Sequence, residues 1–383
     1  MFGRRFYLFK LFGFPVYVDL SWFVIAILIT WSLAEGWFGN PQLYPTLRDQ
    51  AGTRWLMGVA GALGLFLSIV LHELAHSKVA EWFGLPMRGI TLFIFGGVAE
   101  MSDEPPSAKS EFFMAIAGPI ASVLIGAACG LVWLLGQGVL PLAVTAVLGY
   151  LSFINFLLVA FNLIPAFPLD GGRVLRSVIW HFGGKLEPAT RITAQLGSGF
   201  GLFLMGLAVL WLFMGNFLGA MWWFLIGMFL RGAAQASYQR LLVRQALEGE
   251  PVRRFMNEHP ITVAPDLTID RLVDDYIYRY HYKLWPVVQD GRLLGCLTLN
   301  QIKGLPRQQW SQSRVGDLVQ TCNPANSIEA NRDAMDALAR MQQNQKSRLM
   351  VVEDGRLVGV VSLKDLMNFL SLKVELEERG GAD

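Results

Sequence analysis

Two histidines and a glutamate, His72, Glu73 and His76 in the sequence HELAH, are the residues whose types and spacing could do chemistry. They lie inside the apolar run 55–83. Residues four apart on a helix share one face, so both imidazoles can meet one metal ion while Glu73 takes a proton from water. Composition alone would produce this pattern only about 0.0025 times in the chain. The pattern predicts a zinc site; the alternative is a hydrogen-bonded histidine pair with a neutral Glu73.

A catalytic zinc ion takes three protein ligands, so a third ligand is needed. The three remaining histidines lie in the C-terminal part of the chain or in a segment of mixed polarity, and they are poor candidates. The segment NLIPAFPLDGGRVLRS at 162–177 offers Asp170 instead. Its two prolines break the helix, and its two glycines let the backbone turn sharply. We predict Asp170 as the third ligand; the alternative is that it caps the helix beginning near Arg173.

Composition divides the chain into two parts. Overall it is 53% hydrophobic and 16% charged, with a mean hydropathy of +0.41. About 10% of residues 1–237 are charged and about 26% of residues 238–383, the second figure being ordinary for a soluble domain. The net charge of +2 argues against a nucleic-acid surface. Cys129, Cys296 and Cys322 are scattered, which indicates neither a disulfide framework nor a thiolate metal site.

The apolar part contains six runs close to the length needed to cross a membrane. The opening segment has no small-residue cleavage site, so we interpret the first run as a retained helix. An ionisable side chain at membrane depth costs at least about 2.5 kcal/mol and usually marks function, which favours a functional role for HELAH. The predicted spans are 15–33, 55–83, 112–135, 143–165, 198–214 and 220–236.

The distribution of basic residues predicts the orientation in the membrane, because Lys and Arg accumulate on the cytosolic side. With six spans both termini lie on one side. That side would carry Arg4, Arg5, Lys10, Arg88, Lys109, Arg173, Arg176, Lys185, Arg191, Arg240 and Arg244, against Arg48 and Arg54 opposite. We therefore expect a multi-pass protein of the cell membrane with a cytosolic N-terminus and a cytosolic tail.

The tail is an internal repeat with an offset of 64 residues, which superposes DGRLLGCLTL at 290–299 on DGRLVGVVSL at 354–363. Each copy reads as a helix, a strand, an Asp-Gly turn, a second strand and a closing helix. The expected segments are a membrane domain at 1–237, a linker at 238–251, copies at 252–310 and 311–373, and a C-terminal tail at 374–383.

The repeat resembles a pair of CBS domains, a family whose pairs often bind adenine nucleotides between the copies. The family's Ser or Thr followed three residues later by Asp, which binds ribose, matches Ser362 and Asp365. In the first copy Thr298 is followed by Gln301, so that half-site departs from the pattern. The resemblance implies an adenine nucleotide and a homodimer formed through the CBS domains; the alternative is a packing module without ligand.

HELAH followed by NLIPAFPLDGG resembles the site-2 protease family of intramembrane zinc metalloproteases, over about residues 14–176. The CBS pair resembles that of its prokaryotic branch. The resemblance implies that His72, His76 and Asp170 hold one Zn²⁺ and that Glu73 is the catalytic base. It also implies that Asn162 places the substrate or stabilises the oxyanion. The fold class expected is a polytopic α-helical membrane domain of about six transmembrane helices with a membrane-associated β segment, followed by an α/β tandem CBS pair.

The segment RGITLFIFGGVAEM at 88–101 is rich in strand-forming residues, and Gly96 and Gly97 allow a tight turn or a close backbone approach. In the family that the chain resembles, this region lies beside the metal and offers an edge on which substrate can add as a strand. The alternative is a connector at the membrane interface.

The resemblance implies regulated intramembrane proteolysis, in which a single-span protein of the bilayer is cut in or near its membrane segment. Such substrates include membrane-tethered transcription factors and anti-sigma factors. A gated transporter is one alternative, because CBS pairs also follow transporters. A second is a prenyl-protein endopeptidase with a glutamate as third ligand, for which the sequence offers Glu111 and Glu187.

Overall fold

The computed structural model describes residues 5–47, 49–94, 96–101, 104–320 and 325–380. The chain forms two compact units, Met1–Gln239 and Arg240–Asp383. The first unit corresponds to the apolar part of the sequence and the second to the repeat.

Seven helices are described in the first unit, the last continuing into the second. Five are long and apolar enough to cross a membrane: α1 with its continuation to Trp37, α2, α3, α4 and α6. The sixth predicted span, 220–236, lies within α7, so the number of six spans stays a prediction. The helices are α1 Leu20–Trp31, α2 Ala51–Trp82, α3 Ala108–Leu135, α4 Leu142–Asn162, α5 Asp170–Gly183, α6 Leu186–Phe213 and α7 Phe217–Leu247.

The expectation that the first helix begins near residue 15 is wrong. Strands β1 (Arg5–Leu11) and β2 (Phe14–Asp19) form an antiparallel hairpin, and α1 begins only at Leu20. Asp19 sets this start, because its carboxylate accepts hydrogen bonds from the backbone nitrogen and the hydroxyl of Ser21, at 2.9 and 2.7 Å. The apolar run predicted as one span at 15–33 therefore contains a strand followed by a helix.

The strands expected at 88–101 are confirmed as β3 (Met87–Phe93) and β4 (Gly96–Met101). The four strands make one sheet in the order β1-β2-β3-β4. The outer pairs are antiparallel, whereas β2 and β3 run parallel, so the N-terminal hairpin and the second hairpin join through their inner strands. This order leaves β4 at one edge of the sheet.

The sheet packs against the part of α2 that carries the HELAH sequence. Val16 and Val18 of β2 and Leu92 of β3 form a buried cluster with Val70 of α2. A neighbouring buried cluster joins the sheet to Leu74 of α2. Since Val70 and Leu74 flank His72 by two residues on either side, burial of these apolar side chains fixes the sheet beside the candidate site.

In the described part of the tail, five strands form one sheet with the order β5-β6-β9-β8-β7. The two copies meet between β6 and β9, where Arg292 pairs with Arg356, its equivalent 64 residues later. The predicted repeat is thus confirmed as a pair of hairpins related by an approximate twofold axis. The strands are β5 Leu284–Gln289, β6 Arg292–Thr298, β7 Ser327–Glu329, β8 Arg348–Glu353 and β9 Arg356–Ser362.

Short helices flank this sheet. The helix expected to open the first copy consists of α8, a π-helical stretch at 272–277, and α9. The tail helices are α8 Ile269–Arg271, α9 Tyr278–Tyr280, α10 Leu299–Lys303, α11 Val315–Leu318, α12 Ala334–Gln343 and α13 Leu363–Gly380.

Each copy begins with a segment that packs on the other copy. Leu247 lies just before the first copy and Val252 begins it, but both belong to the buried core of the second copy. Val315 lies near the start of the second copy and belongs to the core of the first. Backbone hydrogen bonds fix both exchanges, including Val252 N to Arg332 O at 2.8 Å. Residues 238–247 of the expected linker are the last turns of α7.

Candidate metal centre

The structure brings His72, His76 and Asp170 together, with one ligand atom of each within 4.8 Å of the others. Nε2 of His72 lies 3.0 Å from Asp170 Oδ2, and Nε2 of His76 lies 3.3 Å from Asp170 Oδ1. The two Nε2 atoms are 3.1 Å apart. All three side chains are buried, with residue exposures of 5%, 6% and 8%. The cluster joins the C-terminal half of α2 to the first residue of α5.

Hydrogen bonds on the far side of each imidazole orient its Nε2 atom toward the cluster. His76 Nδ1 lies 2.6 Å from the carbonyl oxygen of Met114, which can only accept, so this Nδ1 carries a proton and donates it. His72 Nδ1 lies 2.9 Å from Ser122 Oγ, a hydroxyl that is able to accept from the same tautomer. Neutral imidazoles of this tautomer turn two lone pairs toward a carboxylate, an arrangement that a cation would stabilise.

The donor set fits a zinc ion. Two ligand atoms about 2.1 Å from one ion at a tetrahedral angle would be about 3.4 Å apart, and the three contacts above are 3.0 to 3.3 Å. The backbone leaves room for such an ion, because a Cβ added to Gly118 would come within 2.5 Å of His72 Nε2. Two neutral histidines and a carboxylate are an established ligand set for catalytic zinc.

The alternative of Asp170 as a helix cap is not supported. The capping position of α5 is Leu169, which makes no side-chain cap hydrogen bond, and Asp170 is the first helical residue. Its two carboxylate oxygens face the histidines instead. Glu111, which the sequence offered as another third ligand, is paired with Arg176 and is not part of the histidine cluster.

Glu73 lies between the histidines along α2, and its carboxylate is held by β4. Its Oε2 accepts a hydrogen bond from the backbone nitrogen of Ala99 at 3.1 Å. Gly97 packs directly on the same side chain, since a Cβ there would lie 2.9 Å from Glu73 Cγ. Gly96 begins β4 with φ of 130°, which favours glycine. The two glycines singled out in the sequence thus lie where β4 starts beside Glu73.

The hydrogen bonds described for the cluster do not involve the remaining candidate residues. Asn162 is the last residue of α4 and is half-buried, and the hydrogen bonds to the imidazoles come from Met114 and Ser122. Ser362 and Asp365 belong to the tail, where the Ser362 hydroxyl donates to Asp365 Oδ2 at 2.6 Å. In the first copy Thr298 and Gln301 make the equivalent contact at 2.7 Å. Both pairs fix the start of a closing helix.

Sequence reasoning missed three residues of α3 that line the cluster. Met114, Gly118 and Ser122 recur every four residues, so they share one face of the helix and lie behind the imidazoles. Gly and Ser at such a spacing are typical of close helix contacts in membranes. That spacing could have indicated a tight packing face, although it could not have indicated against which helix.

Comparisons with known proteins assign a family to each part of the chain. The model of peptidase family M50 matches residues 60–206, and that of the CBS domain matches 252–305 and 315–372. The putative zinc metalloprotease sll0528 of Synechocystis sp. is 34% identical over 364 residues, 94% of each chain. The putative zinc metalloprotease Rip3 of Mycobacterium tuberculosis is 32% identical over 368 residues, 94% of this chain and 91% of that protein.

Among solved structures, the site-2 protease from Methanocaldococcus jannaschii is 29% identical, with a TM-score of 0.42, over 61% of this chain and 94% of that one. The family match confirms the resemblance stated from HELAH and NLIPAFPLDGG, and it favours neither a transporter nor a prenyl-protein endopeptidase. With its long apolar helices, the protein is a multi-pass membrane protein. The chain therefore belongs to peptidase family M50, the site-2 protease type of zinc metalloprotease, and carries a pair of CBS domains after the peptidase.

Proposed function

We propose that the protein is an intramembrane endopeptidase that cuts membrane-anchored proteins in or near their transmembrane segment. The observation that carries this proposal is the convergence of one ligand atom each from His72, His76 and Asp170 within 4.8 Å. In the proposal these three residues hold one Zn²⁺, and Glu73, beside them, is the catalytic base. Metal-ligand spacing, burial and a neighbouring carboxylate are what zinc-assisted peptide hydrolysis requires.

The chain's own residues have separate roles in this reaction. Zinc, when bound, supplies a Lewis acid that polarises the scissile carbonyl and favours deprotonation of water near neutral pH. Glu73 accepts the proton of the attacking water on its carboxylate and returns it to the leaving amine. The hydrogen bond from Ala99 N restricts the orientation of that carboxylate. Asn162 is proposed to place the substrate backbone or to stabilise the oxyanion.

Substrate would add as an extended strand along the free edge of β4, near Gly96 and Gly97. A transmembrane helix hides its peptide groups in internal hydrogen bonds, so its scissile region must unwind before it can pair with a sheet edge. We therefore expect single-span substrates with helix-breaking residues near the cleavage site. Membrane-tethered transcription factors and anti-sigma factors are the classes to examine, and the process would be regulated intramembrane proteolysis.

The experiment that tests the proposal compares purified full-length protein with its Glu73→Gln variant, both loaded with zinc, on a single-span substrate. We expect cleavage only by the unaltered protein, with equal zinc content in both, because Glu73 moves a proton and does not hold the metal. The matched control is Glu81→Gln, which changes an exposed glutamate on the same helix that pairs with Lys78 at 2.8 Å. It should cleave normally.

Two outcomes would contradict the proposal. Undiminished cleavage by Glu73→Gln would remove Glu73 from the mechanism. Protein that holds no zinc after exposure to it would remove the metal site.

We further propose that the protein lies in the cell membrane with its N-terminus and tail in the cytosol. The excess of Lys and Arg on that side supports this orientation. The proposed limits are 1–237 for the peptidase, 238–251 for the linker, 252–310 and 311–373 for the CBS domains and 374–383 for the C-terminal tail. The orientation is tested by introducing single cysteines at Gly138 and Gly249 and labelling them in intact cells with an impermeant reagent. We expect labelling only at Gly138.

For the CBS pair we propose one adenine nucleotide, held at the second copy, and a homodimer formed through these domains. Both Ser362 contacts use Asp365 Oδ2, so Oδ1 remains as a second acceptor for ribose hydroxyls. In the first copy the side-chain nitrogen of Gln301 donates to Leu318 O at 2.6 Å. Gln301 therefore has no second oxygen that could accept from ribose, as Asp365 has.

Calorimetry of the full-length protein with ATP, ADP and AMP tests this assignment. We expect heat with at least one nucleotide and none with Asp365→Ala, while Gln301→Ala retains it. If none of the three nucleotides produces heat, the CBS pair is a packing module without ligand. Light scattering of the purified protein measures the dimer.

A further inference from the structure

A buried ion pair joins α3 to α5 outside the histidine cluster. Arg176 of α5 donates from Nε to Glu111 Oε1 at 2.7 Å, and its Nη2 donates to the same oxygen. The Glu111 side chain is fully buried and that of Arg176 is 4% exposed. A carboxylate and a guanidinium are costly to remove from water, so their retention here needs a reason other than bulk stability.

Arg176 contacts several further elements. Its Nη1 lies 3.5 Å from Thr190 Oγ1 of α6, and its Nη2 lies 3.4 Å from Glu104 Oε2, before α3. Its guanidinium lies over the ring of Phe167, 5.1 Å from the centroid, in the segment that leads into α5. A planar guanidinium with several fixed donors restricts both the position and the rotation of the helix that carries it.

The pair lies on the helix face that lines the metal centre. Glu111 is seven residues before Gly118, two helical turns along the same face of α3. Through Met114, Gly118 and Ser122 that face fixes the two imidazoles of α2. Asp170, the remaining candidate ligand, belongs to α5 together with Arg176. Helix α3 therefore contacts both ligand-bearing helices, and Glu111 makes its charged contacts with α5 through Arg176 and, at 3.9 Å, through Arg173.

We infer that Glu111 and Arg176 are positioning residues, which set the distance from Asp170 to His72 and His76 by fixing α5 against α3. The inference rests on the proposed zinc site and adds to it two residues that do not touch the ion. It predicts that weakening the pair changes metal binding itself, because a small rotation of α5 displaces the Asp170 carboxylate from its place opposite the imidazoles.

Two variants test the inference. Glu111→Gln keeps the shape of the side chain and removes its charge. Arg176→Lys keeps the charge and loses the planar set of donors. Zinc affinity is measured by competition with a chelator, and the visible spectrum of the cobalt-loaded protein reports the ligand geometry. We expect zinc to bind at least about tenfold more weakly in both variants, as for other partners that orient metal ligands, with an altered cobalt spectrum.

The matched control separates positioning from lost stability. Phe38→Leu weakens a buried cluster with Leu33 and Leu47 that contains no residue of α5. Thermal unfolding identifies conditions in which control and variants are equally destabilised. The control should then retain zinc affinity and the cobalt spectrum. If Glu111→Gln does not fold, the measurements on Arg176→Lys alone test the inference.

Each remaining outcome is decisive. Unchanged zinc affinity and spectrum in a folded variant overturn the inference, as does an equal loss in Phe38→Leu. Failure of the unaltered protein to bind zinc or cobalt overturns the metal site itself, and with it this inference. Normal metal binding by the unaltered protein without cleavage contradicts only the proposed protease reaction.

Discussion

Two glycines allow the reactive side chains to reach their positions. Gly118 of α3 faces the Nε2 atoms of both histidines, where a Cβ would overlap the ligand atoms. Gly97 of β4 faces Glu73, where a Cβ would lie 2.9 Å from the side chain. The first glycine thus leaves space for the metal and the second leaves space for the base, so substitution should separate the two functions.

Gly118→Ala should lower zinc affinity at least about tenfold, because the new methyl group would displace the imidazoles from the ligand set. Zinc content after dialysis against a weak chelator measures the effect. The matched control is Gly206→Ala in α6, which has nothing within 4 Å of an added Cβ and should retain zinc. Full zinc content in Gly118→Ala would show that the site lies elsewhere.

Gly97→Ala should retain zinc and lose most proteolysis. The added methyl group would meet Glu73 Cγ and Ile69 Cγ2, both at 2.9 Å, and so move the base without touching a ligand. A misplacement of about 1 Å can cost about 100-fold in rate. Zinc content and cleavage rate, measured on the same preparation, check the result. A parallel loss of zinc would argue against separate roles for the two glycines.

At this scale the sequence predicts what depends on local spacing. HELAH is interpretable because a helix brings residues four apart onto one face, and Asp170 stands out between prolines and glycines. Ser122 and Met114 were not predictable, because they act from a different helix. Met114 contributes only a carbonyl oxygen, which every residue has.

Among the elements, the junction of β2 and α1 shows how a single residue divides an apolar run. Strand β2 ends at Asp19, and α1 begins at the next residue. The carboxylate of Asp19 accepts from two groups of Ser21, which satisfies a backbone nitrogen that a helix start leaves without a partner. This contact gives a local role to a charge that is unusual in so apolar a segment.

Asp19→Ala should destabilise the protein by about 1 kcal/mol, the usual effect of removing a helix cap. Thermal unfolding in detergent, followed by circular dichroism, measures the change. Asp19→Asn is the control, because its side-chain oxygen can still accept both hydrogen bonds and most of the stability should remain. Equal loss in the two variants would show that the charge, and not the cap, is what matters.

The long helices were predictable and the N-terminal hairpin was not. A run of 20 or more apolar residues predicts a membrane helix whatever its partners. Most residues of β1 and β2 are also apolar, so the sequence lacks the regular alternation that would mark a strand, and the structure depends on the pairing of β2 with β1 and β3. The hairpin at 88–101 was recognisable because of its glycines and strand-forming residues.

For the whole molecule, the repeat was predictable but the exchange between its copies was not. The offset of 64 residues follows from sequence identity and reappears in the pairing of Arg292 with Arg356. Sequence comparison cannot tell on which copy a leading segment packs, since both copies have similar leading segments. Leu247 packs on the second copy with Leu349 and Val361, more than 100 residues later.

Leu247→Ala should destabilise the second copy by about 2 to 5 kcal/mol, as for other fully buried leucines. Hydrogen exchange of the full-length protein should show faster exchange in β8 and β9 and little change in β5 and β6. Leu376→Ala is the control, because Leu376 is 73% exposed and its loss removes no core contact. Equal acceleration in both copies would contradict separate cores.

Because Leu247 comes from the last turn of α7, the CBS pair needs part of that helix when it is produced as a separate fragment. A fragment beginning at residue 252, where the repeat starts, would open a hole in one of its two cores and expose the apolar residues that line it. Such a fragment should aggregate, whereas a fragment beginning before Val243 retains Leu247 and so keeps this core filled. The CBS pair is therefore incomplete at its apparent boundary, since part of its interior comes from the helix that precedes it.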